Sequence, residues 1–262
     1  MLIKLTDRCT MACPHCLDDA REEGHDMTFD TFRNAVMFAL YIGSMHLVLS
    51  GGEPSENECI TEMCEYISRI KMSFSIVSNG MWLKDEAKRE RIKRITRMKG
   101  YIAMQVYTNK KWYREYDYVV NHIEDYSRFS NVIVDVDSPI HMQDLGRARY
   151  NAEAKEEVER NPYFMSCLNT ALCARQVSAP KDFGGTMAAR VQFCHPSVDC
   201  HGNVSMSESR LCQSVGNVNT DSWVGIWENM VDFRPCGRCS QYSKFMESSR
   251  RDIEAARRIL GV

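Results

Sequence analysis

The chain has 262 residues, 44% of them hydrophobic and 26% charged, with a net charge of −2. That length buries a full core in one large domain, or in a large domain with a small appendage. The near-neutral charge gives no general reason to expect nucleic acid or a membrane as partner, and no apolar run approaches the length of a membrane span. No signal peptide precedes residue 9, and the first strand leads straight into a cysteine-bearing loop, so an N-terminal accessory domain is not expected. Twelve cysteines are many for such a chain. In the cytoplasm, the expected location, thiols stay reduced, and clustered cysteines read as metal ligands or catalytic groups.

Taken in chain order, residues 2–6 form a short apolar strand and 7–20 a loop with Cys9, Cys13 and Cys16. Thr28 is placed to cap a helix in which Phe29, Phe32, Val36, Ala39 and Leu40 recur at helical spacing. His46–Ser50 reads as a buried strand ending at Gly51-Gly52-Glu53-Pro54. A helix is predicted from about 55 to 71, with Ile60, Met63, Cys64, Ile67 and Ile70 on one stripe. Strands at 73–78, 101–107 and 131–136 alternate with helices at about 84–98 and 115–128. Alternating strands and helices predict an α/β fold with a parallel sheet of βα units, in which sites gather at the C-terminal strand ends. The cysteine loop, Gly51–Pro54, Ser78-Asn79-Gly80 and Tyr107-Thr108-Asn109 all fall there and should converge.

Beyond residue 138 the pattern changes. Gly146-Arg147-Ala148 leads to a polar helical stretch at 151–160, followed by an irregular region holding Cys167 and Cys173. His201-Gly202-Asn203 between short apolar segments signals a hairpin over 197–207. Ser222 is placed to cap a short helix with Trp223 and Trp227, and an amphipathic helix begins near 241. A domain boundary is expected near 160, dividing 1–160 from a cysteine-rich 161–262.

The spacing C-x3-C-x2-C lets one short loop hold three corners of a 4Fe-4S cluster, which normally takes four thiolates, so that one iron stays open. A zinc site with a distant fourth ligand suits the triplet alone equally well. Further along, Cys194, Cys212, Cys236 and Cys239 form a second set of four, with Cys200 as an alternative ligand; a cluster or a four-thiolate zinc site fits them. Cys64 and Cys59 read as core or flanking residues. The run Lys84–Lys99 carries eight basic residues against three acidic ones, either a solvated helix face or a surface that steers an acidic partner.

The first strand, the triplet and the next strand's Gly-Gly-Glu-Pro together resemble the radical S-adenosylmethionine (radical SAM) superfamily. That resemblance implies a partial (β/α)6 TIM-like barrel whose open iron is chelated by SAM. It also implies reductive cleavage of SAM to a 5′-deoxyadenosyl radical that abstracts hydrogen from a substrate, the cofactor carrying the hard chemistry. By position, Cys9, Cys13 and Cys16 would ligate the cluster. Gly51, Gly52, Glu53 and Pro54 would receive the SAM amino group, Ser78 and Asn79 would make strand-end polar contacts, and Gln105 would reach the ribose. Arg147 would pair with the SAM carboxylate or form a structural salt bridge. Two features depart from the family pattern: His15 stands where an aromatic residue is usual, and only five clear strands precede Gly146.

The stretch from Cys200 through Gly216-Asn217-Val218 to Cys236-x2-Cys239, with Gly146-Arg147-Ala148, resembles the SPASM and twitch extensions of this superfamily. The absence of cysteines after Cys239 suits a twitch-like extension with one auxiliary 4Fe-4S cluster, which would accept an electron or bind substrate. The implied partners are a flavodoxin- or ferredoxin-type electron donor and a peptide or small-molecule substrate. Oxidation or crosslinking of a peptide or protein leads, although the missing N-terminal recognition domain weighs against a leader-dependent maturase. Dehydrogenation of an alcohol on a small sugar or aminocyclitol is the alternative. A non-enzymatic iron–sulfur or zinc scaffold is the reading from another class.

Overall fold

The computed structural model describes residues 1–137, 146–160, 196–206 and 213–232; for 158–160 and 231–232 it describes the backbone only. Eight strands form one sheet in the order β5-β4-β3-β2-β1-β6-β7-β8. β1 (Leu2–Lys4), β2 (His46–Ser50), β3 (Ser73–Ser78), β4 (Tyr101–Thr108) and β5 (Val132–Val136) run parallel, each beside the next. β6 (Ser197–Val198) lies parallel to β1 on its other side, and β7 (Asn203–Ser205) and β8 (Ser214–Asn217) continue antiparallel. This is an α/β fold with a mostly parallel sheet, as the alternation of strands and helices requires.

Side chains alternate between the two faces of each strand. Leu47, Leu49, Phe74, Ile76, Met104 and Val106 are buried on one face and join a single core with the helices. Phe32, Val36 and Ala39 of α1 (Phe29–Tyr41), Ile60, Met63 and Ile67 of α2 (Ile60–Arg69), and Ile92 and Ile95 of α3 (Glu86–Ile95) fill that layer. On the other face His46, Ser73, Ser75, Gln105 and Tyr107 are only partly buried.

Two of the helices, α1 and α3, start at a side-chain cap. Thr28 accepts from the Thr31 N–H at 3.2 Å, and Asp85 accepts from the Lys88 N–H at 3.0 Å, satisfying donors that a helix start leaves free. The helix expected over 55–71 begins later, at Ile60, after a single 3-10 turn at Pro54–Glu56. Asn57 breaks the run: its amide is buried and donates to the carbonyls of Leu5 and Met27, and its side-chain oxygen accepts from the Cys59 N–H. The helix expected over 115–128 divides into α4 (Tyr116–Asn121) and α5 (Ile123–Ser127) at His122. The imidazole of His122 bonds the Tyr118 carbonyl at 2.8 Å and stacks on the Tyr118 ring. After Gly146–Tyr150, a 3-10 segment, come α6 (Ala152–Arg160) and α7 (Trp223–Asp232). The hairpin expected over 197–207 is present as β6 and β7, and the helix expected after Ser222 is α7. No described helix is long and apolar enough to cross a membrane.

Candidate metal and cofactor centre

The cysteine loop is closed at its base by its own bonds. Thr6 pairs with Asp26 and Arg8 with Arg21 as isolated bridges. The Thr6 hydroxyl donates to Asp26 at 2.6 Å, and Arg8 forms an ion pair with the same carboxylate at 2.9 Å. Between those ties the backbone turns sharply, with positive φ at Ala12 and Asp19, and the Cys16 N–H donates to the Cys13 carbonyl at 3.2 Å. Cys9, Cys13 and Cys16 thus line one cavity of about 140 Å³ together with Gly51, Asn79 and Tyr113. No other cysteine of the described residues lines it.

The Gly-Gly pair joins the second strand to this loop. Gly52 N–H donates to the Thr6 carbonyl at 2.8 Å and Glu53 N–H to the Arg8 carbonyl at 2.9 Å. A Cβ on Gly51 would sit 2.2 Å from the Thr6 oxygen, and one on Gly52 2.2 Å from the Arg8 oxygen. Only glycine permits that approach, and Gly51 also has φ +128°. These glycines therefore have a structural reason, contact with the cysteine loop, beside the cofactor contact that the sequence suggests.

Glu53 lies behind the cavity. It is fully buried, and its carboxylate accepts from the Ser55 N–H and hydroxyl, the Ser78 hydroxyl and the Asn79 N–H, the last at 2.7 Å. Burial pushes its acidity down and its pKa up, while the bonds from Asn79 and Ser55 oppose that shift. Glu53 acts as a positioning residue: it fixes Asn79, whose side-chain amide donates to Cys9 Sγ at 3.6 Å. A second donor, the Ala20 N–H, reaches Cys16 Sγ at 3.4 Å.

Arg147 seals the loop from the other side. Its backbone N–H donates to the Cys16 carbonyl at 2.9 Å, Nη1 to the Cys13 carbonyl at 2.8 Å, and Nη2 to the Ala20 carbonyl. Nε pairs with Asp19 at 3.1 Å. Gly146 makes this fit possible, because a Cβ there would meet the Cys16 and Leu17 oxygens at 2.3 and 2.4 Å. The guanidinium so engaged holds the thiol loop, the structural role that the sequence left open beside a cofactor contact.

Three residues that the sequence reading passed over complete the site. Trp112 and Tyr113, from the segment after β4, pack edge-on against His15 with ring centroids 6.0 and 5.3 Å away. Asp19 anchors Arg147. An aromatic pair just past a strand end was the available signal for the first two; nothing local marks Asp19. Burial, and then the Arg147 charge, lowers the His15 pKa to about 4, so the ring is neutral at pH 7. Its Nδ1 is buried without a hydrogen-bond partner among the described residues. Gln105 does not line the cavity; it accepts from the Tyr107 hydroxyl at 2.5 Å on the open sheet face.

The residues fit a thiolate-bound metal group. Three sulfurs face one cavity, two N–H donors aim at sulfur, and a buried ring nitrogen lacks a partner. Without metal, burial raises Cys9 to about 11 and Cys13 to about 12. A metal ion or cluster would hold these groups as thiolates and release their protons. Of the second set, Cys194, Cys212, Cys236 and Cys239 lie outside the described residues, as do Cys167 and Cys173. Cys200 is described: it is buried in the turn between β6 and β7 and does not line the three-thiol cavity. Cys64 is buried in the core and Cys59 is exposed.

No protein-family model matches the chain. It is 31% identical over 90 residues to a PqqA peptide cyclase of Rhizobium meliloti, covering 32% of this chain and 23% of that protein. It is 32% identical over 92 residues to a GTP 3′,8-cyclase of Clostridium perfringens, covering 33% and 28%. The chain thus spans about a quarter of the length of the curated relatives it matches. Among solved structures, Streptococcus suis SuiB bound to S-adenosylmethionine aligns over 89% of this chain and 65% of that one, with 11% identity and a TM-score of 0.48. The curated relatives, with the three-thiol loop and its glycine-bearing neighbour strand, point to a radical SAM superfamily enzyme.

Proposed function

We propose that this chain binds a 4Fe-4S cluster through Cys9, Cys13 and Cys16 and presents its open iron to S-adenosylmethionine, to abstract hydrogen from a peptide or protein substrate. The observation that carries this reading is a cavity lined by three cysteines and, among the described residues, no fourth, bordered by Gly51, Gly52 and Asn79. When bound, the cluster supplies the electron that cleaves SAM to a 5′-deoxyadenosyl radical, which takes a hydrogen atom from the substrate.

The protein's own part is to hold and orient. Arg147 and Asp19 keep the thiol loop in shape, and Glu53 keeps Ser78 and Asn79 at the strand end. The glycine pair would leave room for the SAM amino group, and Gln105 would reach toward the ribose. Neutral His15, backed by Trp112 and Tyr113, would border the adenine without adding charge to the site. The parallel sheet would curve as a partial barrel, with 1–160 as its core and 161–262 as a twitch-like extension. Cys194, Cys212, Cys236 and Cys239 would hold an auxiliary cluster there that accepts the substrate's second electron. The basic α3 is the surface offered to a flavodoxin- or ferredoxin-type donor, and the cytoplasm, where thiols stay reduced, is the compartment that suits clustered metal-ligand cysteines.

Peptide modification leads because the PqqA peptide cyclases match this chain repeatedly. A small-molecule substrate is the second reading, favoured by the GTP 3′,8-cyclase relatives. Anaerobic reconstitution followed by iron counting and an assay for 5′-deoxyadenosine tests both claims. About eight irons per chain match two clusters, and about four remove the auxiliary one. No 5′-deoxyadenosine under reducing conditions, or equal amounts from Cys13→Ala, removes the SAM reading.

A further inference from the structure

A second group of ligand-type side chains lies where the C-terminal hairpin meets the base of the cysteine loop. Asp7, Cys200 and His201 bring a carboxylate oxygen, a thiol sulfur and an imidazole nitrogen within 4.8 Å of one another. The topology explains the meeting. β1 and β6 are parallel neighbours, pairing Leu2 with Ser197 and Ile3 with Val198, so the residues that follow both strands leave the sheet at the same end. Asp7 follows β1, and Cys200 and His201 follow β6.

Both carriers are rigid. Asp7 donates its N–H to the His25 carbonyl at 3.0 Å, its carboxylate accepts from the His25 N–H, and its carbonyl accepts from the Arg21 N–H at 3.1 Å. On the hairpin, Asp199 accepts from the N–H groups of His201 and Asn203 at 3.0 and 2.9 Å. The His201 carbonyl accepts from the Asn217 amide at 3.0 Å. Asn219 ties the same turn to α1 through Thr31 and Asn34, each at 3.1 Å. Backbone and turn bonds thus hold the three ligand-bearing positions together, which lowers the cost of ordering them around an ion.

The donor set selects the kind of ion. A thiolate with an imidazole and a carboxylate suits zinc-class divalent metals, whereas calcium and magnesium take oxygen. Tetrahedral zinc, with bonds of about 2.0–2.3 Å, needs its ligand atoms roughly 3.3–3.8 Å apart. The present spacing closes to that by about 1 Å of side-chain movement. His201 is exposed and supplies this movement, while Cys200, 6% exposed, supplies the buried corner. The His25 ring lies 4.9 Å from the His201 ring, centroid to centroid.

We propose that Asp7, Cys200 and His201 form a mononuclear site for a zinc-class divalent cation, completed by water, that staples the C-terminal hairpin to the stem of the cysteine loop. Binding displaces the Cys200 thiol proton to solvent and leaves every oxidation state unchanged. The site stands independently of the SAM reading, and it removes Cys200 from the candidates for the auxiliary cluster.

The test uses the anaerobically reconstituted full chain, dialysed against zinc and counted for zinc and iron by mass spectrometry. One zinc per chain is expected beyond the iron. Asp7→Asn and His201→Ala, changes at partly exposed and exposed positions that spare the core, should weaken zinc binding at least tenfold, since even losing an outer partner of a ligand costs about 10–100-fold. Cys59→Ala, at an exposed cysteine outside the group, should bind zinc as the starting chain does. Cobalt in place of zinc should give a thiolate charge-transfer absorption that Cys200→Ala abolishes. The proposal is overturned if no zinc is retained, if Asp7→Asn and His201→Ala bind it unchanged, or if Cys200→Ala lowers the iron count instead.

Discussion

The two faces of the parallel sheet differ in what they are built to do. Toward the helices, Leu47, Leu49, Phe74, Ile76, Met104 and Val106 are sealed in a continuous apolar layer. On the opposite face, His46 bonds Ser73 and Ser75 at 2.9 and 3.1 Å, and Tyr107 bonds Gln105; polar side chains there stay partly exposed. Stability resides on the first face. Chemistry gathers where the strand ends meet the cysteine loop, and that loop is held largely by polar bonds, with Met11 and Ala20 as its buried apolar residues. The lesson is that the loop keeps its shape through a few specific groups, each of which can be removed without touching the core.

That contrast can be broken in several places. The largest effect belongs to the sealed face: Phe74→Ala should cost about 3–5 kcal/mol in denaturant unfolding. Its neighbour on the open face, Ser75→Ala, should cost about 1 kcal/mol or less. Comparable losses at the two positions would abolish the distinction. Next comes the chemistry of the buried thiols. Burial disfavours the thiolate, so Cys9 and Cys13 rise from 9.0 to about 11 and about 12. In metal-free protein at pH 8 their alkylation should be about a hundredfold or more slower than that of an ordinary thiol. The rate should climb as pH rises toward those values, and equal labelling of Cys9, Cys13 and exposed Cys59 at pH 8 would contradict the buried loop.

A smaller effect is expected at Arg147. Arg147→Gln removes charge-assisted bonds to the loop, at a cost of about 1.5–3 kcal/mol, and should speed limited proteolysis between residues 10 and 20. A cleavage pattern identical to that of the starting chain would show that the guanidinium does not hold the loop. Smallest is the cap of α1: Thr28→Ala should lower stability by about 1 kcal/mol and leave metal retention unchanged.

Much of the sheet was legible because its strands are apolar runs that end in glycine or polar turns, so the first five strands fall within a few residues of their expected bounds. The helix start at Thr28 follows local capping chemistry in the same way. Part of what escaped depends on distant partners. Asn57 delays α2 by bonding Leu5 and Met27, and no pattern within 55–71 reveals those carbonyls. His122 divides the next helical stretch through a ring contact that periodicity does not encode. At the site, the triplet was visible from its spacing and Gly51–Pro54 through the family resemblance, whereas Asp19 acquires its role only when Gly146 and Arg147 fold back onto the loop. The pairing of β1 with β6 is of the same kind, and it helps bring Cys200 and His201 beside Asp7.

The central claim is that Cys9, Cys13 and Cys16 hold a cluster whose remaining iron is open to SAM. Electron paramagnetic resonance of the reduced, reconstituted protein with and without SAM tests it most directly. A spectrum that shifts when SAM is added, and a signal absent from Cys13→Ala, are the expected results. A signal indifferent to SAM, or one retained in Cys13→Ala, would contradict the account.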